Sequence, residues 1–161
     1  MSAPRVAIVG SRRASEAAKR WTFQLAKDLG RAGCIVISGG ALGMDAAAHR
    51  GALAGAGCTW VVLPGPIETP HPSSHRTLFE DVLRQDGAWL SVETQVGGRW
   101  SYVKRNQIVA ALADVIVIAE AEPESGTAST ARAAGRLQRS LRVRPVGLEA
   151  DRGRMNLQLL C

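Results

Sequence analysis

The feature that most constrains this chain is a series of short, uninterrupted apolar runs set between helix-like segments. Val6-Ala-Ile-Val9, Cys34-Ile-Val-Ile37, Thr59-Trp-Val-Val-Leu63, Ala88-Trp-Leu-Ser-Val92 and Val115-Ile-Val-Ile-Ala119 largely lack the polar alternation of a strand with one wet face. Strands of this kind are buried on both faces, the mark of a parallel sheet covered by helices on each side. A sixth strand is expected over Leu141 to Gly147. The β-α-β order recurs without long linkers, so the expected fold is α/β, a doubly wound, mostly parallel sheet with helices on both faces. Its crossovers should be right-handed.

The helices follow from spacing. Glu16 to Arg31 carries Trp21, Leu25 and Leu29 on one face, with Ser15 as its cap and Gly30 and Gly33 where it stops. Met44 to Ala56 is Ala-rich. Shorter helices are expected at Arg76 to Gln85, Val103 to Ala113 and Thr127 to Gln138. The tail from Leu148 is left unassigned; Met155 to Leu160 reads as an added strand or a cover for a sheet edge. The 161 residues fit a single domain, here expected over 1–161.

Composition removes several classes. Apolar residues at 46% and charged residues at 21% argue for a globular fold. No apolar run approaches the ~20 residues that span a bilayer, and none near the N-terminus suits a signal peptide; the expectation is a cytoplasmic protein with no membrane partner. Cys34, Cys58 and Cys161 have no metal-ligand spacing, and three cysteines do not pair off. Cys34 and Cys58 open apolar runs and read as buried free thiols. The net charge of +6 favours an anionic partner. Seven arginines between Arg132 and Arg154 face only Glu149 and Asp151 there, a solvated basic face or a docking one.

Ligands of open α/β sheets bind beyond the carboxyl ends of the strands, at the switch in strand order. Three loops there are rich in small residues and lead into helices: Gly10-Ser11-Arg12, Ser38-Gly39-Gly40 with the residues up to Asp45, and Ser125-Gly126-Thr127. Glycine lets a phosphate approach the backbone, and helix N-termini offer free N–H groups. Arg12 adds a planar, bidentate contact. The loops are neither a G-x-G-x-x-G fingerprint nor a G-x-x-x-x-G-K-[ST] P-loop, which disfavours a dehydrogenase and an NTPase.

A second constellation is Trp100-Ser-Tyr102-Val-Lys104-Arg105-Asn106. Cations that track a backbone beside rings that stack on bases suit single-stranded nucleic acid. The plainer reading has both rings covering the sheet and both cations in solvent. Asp45 and His49, four apart, read as a capping Asp and a half-buried His. His71 and His75 lack further ligands, so no metal site is expected. Glu93 and Glu120 follow strands four and five; a general base, a ribose contact and a pair with Arg12 or Arg105 all stay open.

Taken together, Gly10-Ser11-Arg12, the stretch from Ser38 through Asp45 and His49 to Leu53, Pro72 with Leu78-Phe79, Arg105-Asn106 with Ile108, and Glu120-Ala with Ser125-Gly126 resemble the DNA-processing protein A (DprA/Smf) family. The likeness runs from about Val6 to Gly147. It implies an extended Rossmann-like domain that binds single-stranded DNA, dimerises, helps load RecA in natural transformation and catalyses nothing. Carried onto this chain, it puts Arg12 and Lys104 in a basic phosphate pocket, with Ser38 to Gly40 and Arg105-Asn106 beside it. No cofactor is implied. The chain departs from the family at Trp100-Ser-Tyr-Val and at Arg144-Pro-Val-Gly147. Related nucleotide phosphoribohydrolases of the LOG type carry P-G-G-x-G-T-x-x-E; here Thr130 stands where their glutamate would be, which disfavours hydrolysis and leaves binding of a small nucleotide or NAD-like ligand as the alternative.

Overall fold

The computed structural model describes residues 2–91, 93–95, 98–123, 125–146 and 154–160, without the side chains of 157, 158 and 160. Six strands form one parallel sheet: β1 Arg5–Val9, β2 Ile35–Ser38, β3 Thr59–Val62, β4 Ala88–Leu90, β5 Val115–Ile118 and β6 Ser140–Val143. Their order in space is β4-β3-β2-β1-β5-β6. The chain builds outward from β1 to β4, then returns to lay β5 against the other side of β1. The switch in strand order therefore lies between β1 and β5. There Val6 pairs with Val115 and Val9 with Ile118.

The helices are α1 Glu16–Arg31, α2 Met44–Ala54, α3 Arg76–Arg84, α4 Arg99–Leu112, α5 Gly126–Arg136 and α6 Arg154–Leu160. Alternate residues of the apolar strands feed two cores, as a double-sided sheet requires. Val6, Ile8 and Val36 pack with Ala18 and Ala26 of α1 and with Met44, Ala48 and Ala52 of α2. Ala7, Val9, Ile37 and Val62 pack with Val109 and Ala110 of α4 and with Ala128, Ala133 and Ala134 of α5. A third cluster joins Val61 and Leu63 to Leu78, Phe79 and Val82 beneath α3.

The expected elements are present, with three corrections. Helix α4 begins one turn early, at Arg99, so Trp100 and Tyr102 are helical. Trp, Ser, Tyr and Val in that turn all have modest helix propensity, which hid it. The sixth strand ends at Val143 rather than Gly147, which lies outside the described residues, as do Val92, 148–153 and Cys161. The tail forms a short helix, with Met155 and Asn156 buried, instead of a strand. Cys34 and Cys58 are free but only half-buried.

Candidate nucleic-acid interface

Three helix N-termini converge on the carboxyl edge of the sheet, and a carboxylate of the chain itself lies close to two of them. At α1, Glu120 is buried and accepts from Ser15 N (2.8 Å) and Ser15 Oγ (2.6 Å). Ser15 Oγ in turn caps the helix at Ala18 N (3.2 Å). Glu120 thus bonds the start of α1 and enters no ion pair with Arg12 or Arg105 among the described residues. At α2, Asp45 sits in the first turn and accepts from Ala41 N at 3.1 Å. Burial raises its pKa, while Arg105, the Ala41 N–H and Arg12 pull it back.

The start of α5 is different. Ser125 is extended before the first turn, that turn carries no acid, and Ser125 Oγ is buried without a hydrogen-bond partner. Ser125, Gly126 and Thr127 line a cleft of about 360 Å³ together with Gly10, Ser11, Arg12 and Gly39. Of the three expected anion cradles, this is the one with no carboxylate in its first turn or bonded to its cap among the described residues.

Tyr102, Arg105 and Asn106 form the opposite wall. Arg105 is only 6% exposed. Its Nη1 donates to the carbonyls of Gly39 and of Val62 (3.1 Å), tying together the ends of β2 and β3. Desolvation lowers its pKa, Asp45 opposes that shift, and the nearby Arg12 adds to it. Gly39 is required here because a Cβ would meet the Arg105 guanidinium and, at 2.7 Å, Asp45 Oδ2. Gly40 takes φ +73°, a left-handed geometry that favours glycine, and its carbonyl accepts from His75 Nδ1 at 2.9 Å.

Arg12 is exposed, lies 5.1 Å over the Tyr102 ring and enters no ion pair among the described residues. Arg105 lies 5.9 Å over the same ring. Two further recesses extend the cleft. One runs past Arg12 and Tyr102 to His71 and Pro72; the other runs past Tyr102, Ser125 and Gly126 to Arg99 and Arg132. The result is a groove across the sheet edge, with Tyr102 at its middle.

Several expected contacts are structural instead. Ser38 is fully buried and donates to Ile8 O at 2.7 Å. Asn106 donates to Gly126 O (3.0 Å) and Ser129 Oγ (2.9 Å) and accepts from Arg105 Nε (3.0 Å), so it bolts α4 to α5. Lys104 pairs with Glu93 at 2.7 Å and borders a separate depression with Gln107 and Ile108. Trp100 is 72% exposed and lines none of these recesses.

His49 is fully buried rather than half-buried. Thr59 Oγ1 donates to Val36 O, so it accepts from His49 Nδ1–H at 2.8 Å, and His49 Nε2 is left bare. Burial pushes the His49 pKa down to about 3, with His75 and Arg105 adding to the effect. Among the described residues, no group of His, Cys, Asp and Glu is arranged to hold a metal, and no helix is long and apolar enough to cross a membrane.

Asn156 carries no sequence signal for its role. Its amide accepts from Ala121 N (3.0 Å) and donates to Ala119 O and Arg144 O (both 3.1 Å), latching α6 over the end of β5.

Fold and site define a parallel α/β domain with an anion-attracting groove at its switch point. The chain belongs to the DNA recombination-mediator protein A family, whose model matches residues 1–160. It is 38% identical over 140 residues to a putative DNA processing protein DprA of Mycobacterium tuberculosis, covering 84% of this chain and 36% of that protein. It is 34% identical over 131 residues to protein Smf of Escherichia coli, covering 80% of this chain and 35% of that protein. The chain thus spans about a third of the length of these curated relatives. DNA processing protein A of Helicobacter pylori, solved for its single-stranded DNA binding mode, superposes with a TM-score of 0.87 at 33% identity, over 98% of this chain and 72% of that one. A molybdenum cofactor binding protein of Rippkaea orientalis, at 20% identity and a TM-score of 0.73 over 99% of this chain and 83% of that one, shares the fold alone.

Proposed function

We propose that residues 1–161 form one domain that binds single-stranded DNA, without catalysis, in the groove at the carboxyl edge of the sheet. The observation that carries this reading is the unpaired Arg12 guanidinium, held over Tyr102 and facing the open N-terminus of α5 across one cleft. A cation and bare amides take phosphates, and the ring offers a face to a base. Thr130 stands on the wall at the position where a LOG-type phosphoribohydrolase carries its glutamate, which supports binding over that cleavage. The family's single-stranded DNA partner, its homodimer and its hand-off to RecA are parts of the same proposal.

The test is a titration of oligothymidylate across salt concentrations. Each phosphate contact adds a log–log slope of about −0.7, and Arg12→Ala should weaken binding to all sequences alike. No binding at low salt, or an unchanged Arg12→Ala, ends the proposal. Sedimentation at micromolar concentration reads the dimer, and pull-down of RecA by the DNA-loaded protein reads the hand-off. The second reading, a small nucleotide, rests on the cleft volume, which is within the usual range for a small-molecule site. A rise in Tm with mononucleotides and no affinity for oligonucleotides would favour it.

A further inference from the structure

The groove does not stop at Arg12. Arg12 and Leu42 also border an open trough of about 870 Å³ that runs down between α1 and α2. Its rim carries Lys19 and Arg20 from α1 and Arg50 from α2, while Phe23 forms part of its wall. The acid in its lining, Glu16, is already neutralised by Lys19 one turn away. Arg20 and Arg50 are exposed and enter no described ion pair.

We propose that this α1–α2 trough is a second stretch of the single-stranded DNA path, continuous with the sheet-edge groove through Arg12; the proposal rests on the DNA-binding reading of that groove. Charge and continuity carry it. Arg20 of α1 and Arg50 of α2 both line the trough, exposed and in no ion pair among the described residues. From Glu16 to Gln24, both in the lining, α1 rises about 12 Å, a length that accommodates about two phosphate contacts. Phe23 is half-buried, so it presents part of a ring beside those cations, the mixture that holds a strand without reading its sequence.

The trough sets the length of DNA the domain grips. Oligothymidylates of about 6 nucleotides should fill the sheet-edge groove alone, and those of about 15 should reach the trough, within the site sizes seen for single-strand binders. The longer probe should bind wild type more tightly, with a salt slope steeper by about −1.4 for two added phosphates. Arg20→Glu with Arg50→Glu should abolish that increment and leave the short probe's affinity unchanged. Arg20→Gln with Arg50→Gln should do the same more weakly; both side chains are on open helix faces, so folding is preserved, as circular dichroism would verify.

If neither double variant changes binding at either length, the trough is not on the path, while the groove reading stands. If both probes bind to Arg12→Ala as they do to wild type, the groove reading itself fails. If polyglutamate binds wild type and loses affinity with Arg20→Glu and Arg50→Glu, while DNA binding is unchanged, the trough belongs to an acidic protein and the proposal is overturned.

Discussion

Arg12 and Arg105 both pack over the Tyr102 ring, yet burial gives them different work. Arg105 spends its donors on the carbonyls of Gly39 and Val62, so it shapes the groove; Arg12 keeps its donors in solvent and can meet a ligand. Removing the ring should remove both a stacking face and the support for Arg12. Tyr102→Ala should cost about 1–3 kcal/mol of DNA binding, whereas Tyr102→Phe should bind like wild type, as read by fluorescence anisotropy. His49 gives a prediction of the opposite kind, on stability. Its folded pKa of about 3 lies below the unfolded value of 6.5. Between those values the unfolded chain binds the extra proton, so stability falls as pH drops through that window, by up to about 1.4 kcal/mol per pH unit. Asp45 acts in the opposite sense, since its raised pKa favours protonation in the folded state. Comparing urea midpoints of wild type and His49→Asn from pH 7 to pH 4 isolates the histidine; His49→Asn should show the shallower acid limb. At this scale the sequence was only partly legible. Arg12, Gly39 and Tyr102 are found where loop position and residue type place them. Ser38 and Asn106 carry the same polar groups but spend them inside the protein, and residue type alone does not separate a donor facing a ligand from one facing a carbonyl.

Among the elements, α1 and α5 show why small-residue loops are ambiguous. Both follow strands and both start beside the same cleft, but Glu120 reaches from the end of β5 to fill the start of α1. Glu120→Ala would leave Ser15 N and Oγ without that acceptor; it should lower stability by about 1–2 kcal/mol, on the scale of a lost cap, measured by thermal melting. Helix α6 has a comparable role at the same end of β5, on the residues either side of Glu120. Asn156→Ala strands Ala121 N, Ala119 O and Arg144 O in a buried setting, and should cost roughly 1–3 kcal/mol. Denaturant unfolding monitored by tryptophan fluorescence would read it. The strands and the long helix α1 were visible in the sequence because unbroken apolar runs and a 3.6-residue period are strong signals. The start of α4 was not, because Gly98 at φ +59° sets the first turn just ahead of residues with weak helix preference. The bonding of Glu120 at the start of α1 was not legible either, since it depends on which loops the sheet order brings together.

At the scale of the whole molecule, strand order decides the site. The return of the chain to place β5 against β1 opens the switch point. Gly10 to Arg12 and Ser125 to Thr127 come together there although more than a hundred residues separate them. A net charge of +6 adds a long-range pull on an anionic strand, so association should slow steeply as salt rises. Stopped-flow binding at about 50 and about 200 mM salt would measure that, with the rate constant expected to fall several-fold. The most direct test of the account follows the backbone amides of the protein while oligothymidylate is added. Chemical-shift changes concentrated at Arg12, Tyr102 and Ser125 to Thr127 are the predicted result. Changes clustered instead around Lys104, Ile108 and Leu137, with Gly126 and Thr127 unmoved, would contradict it.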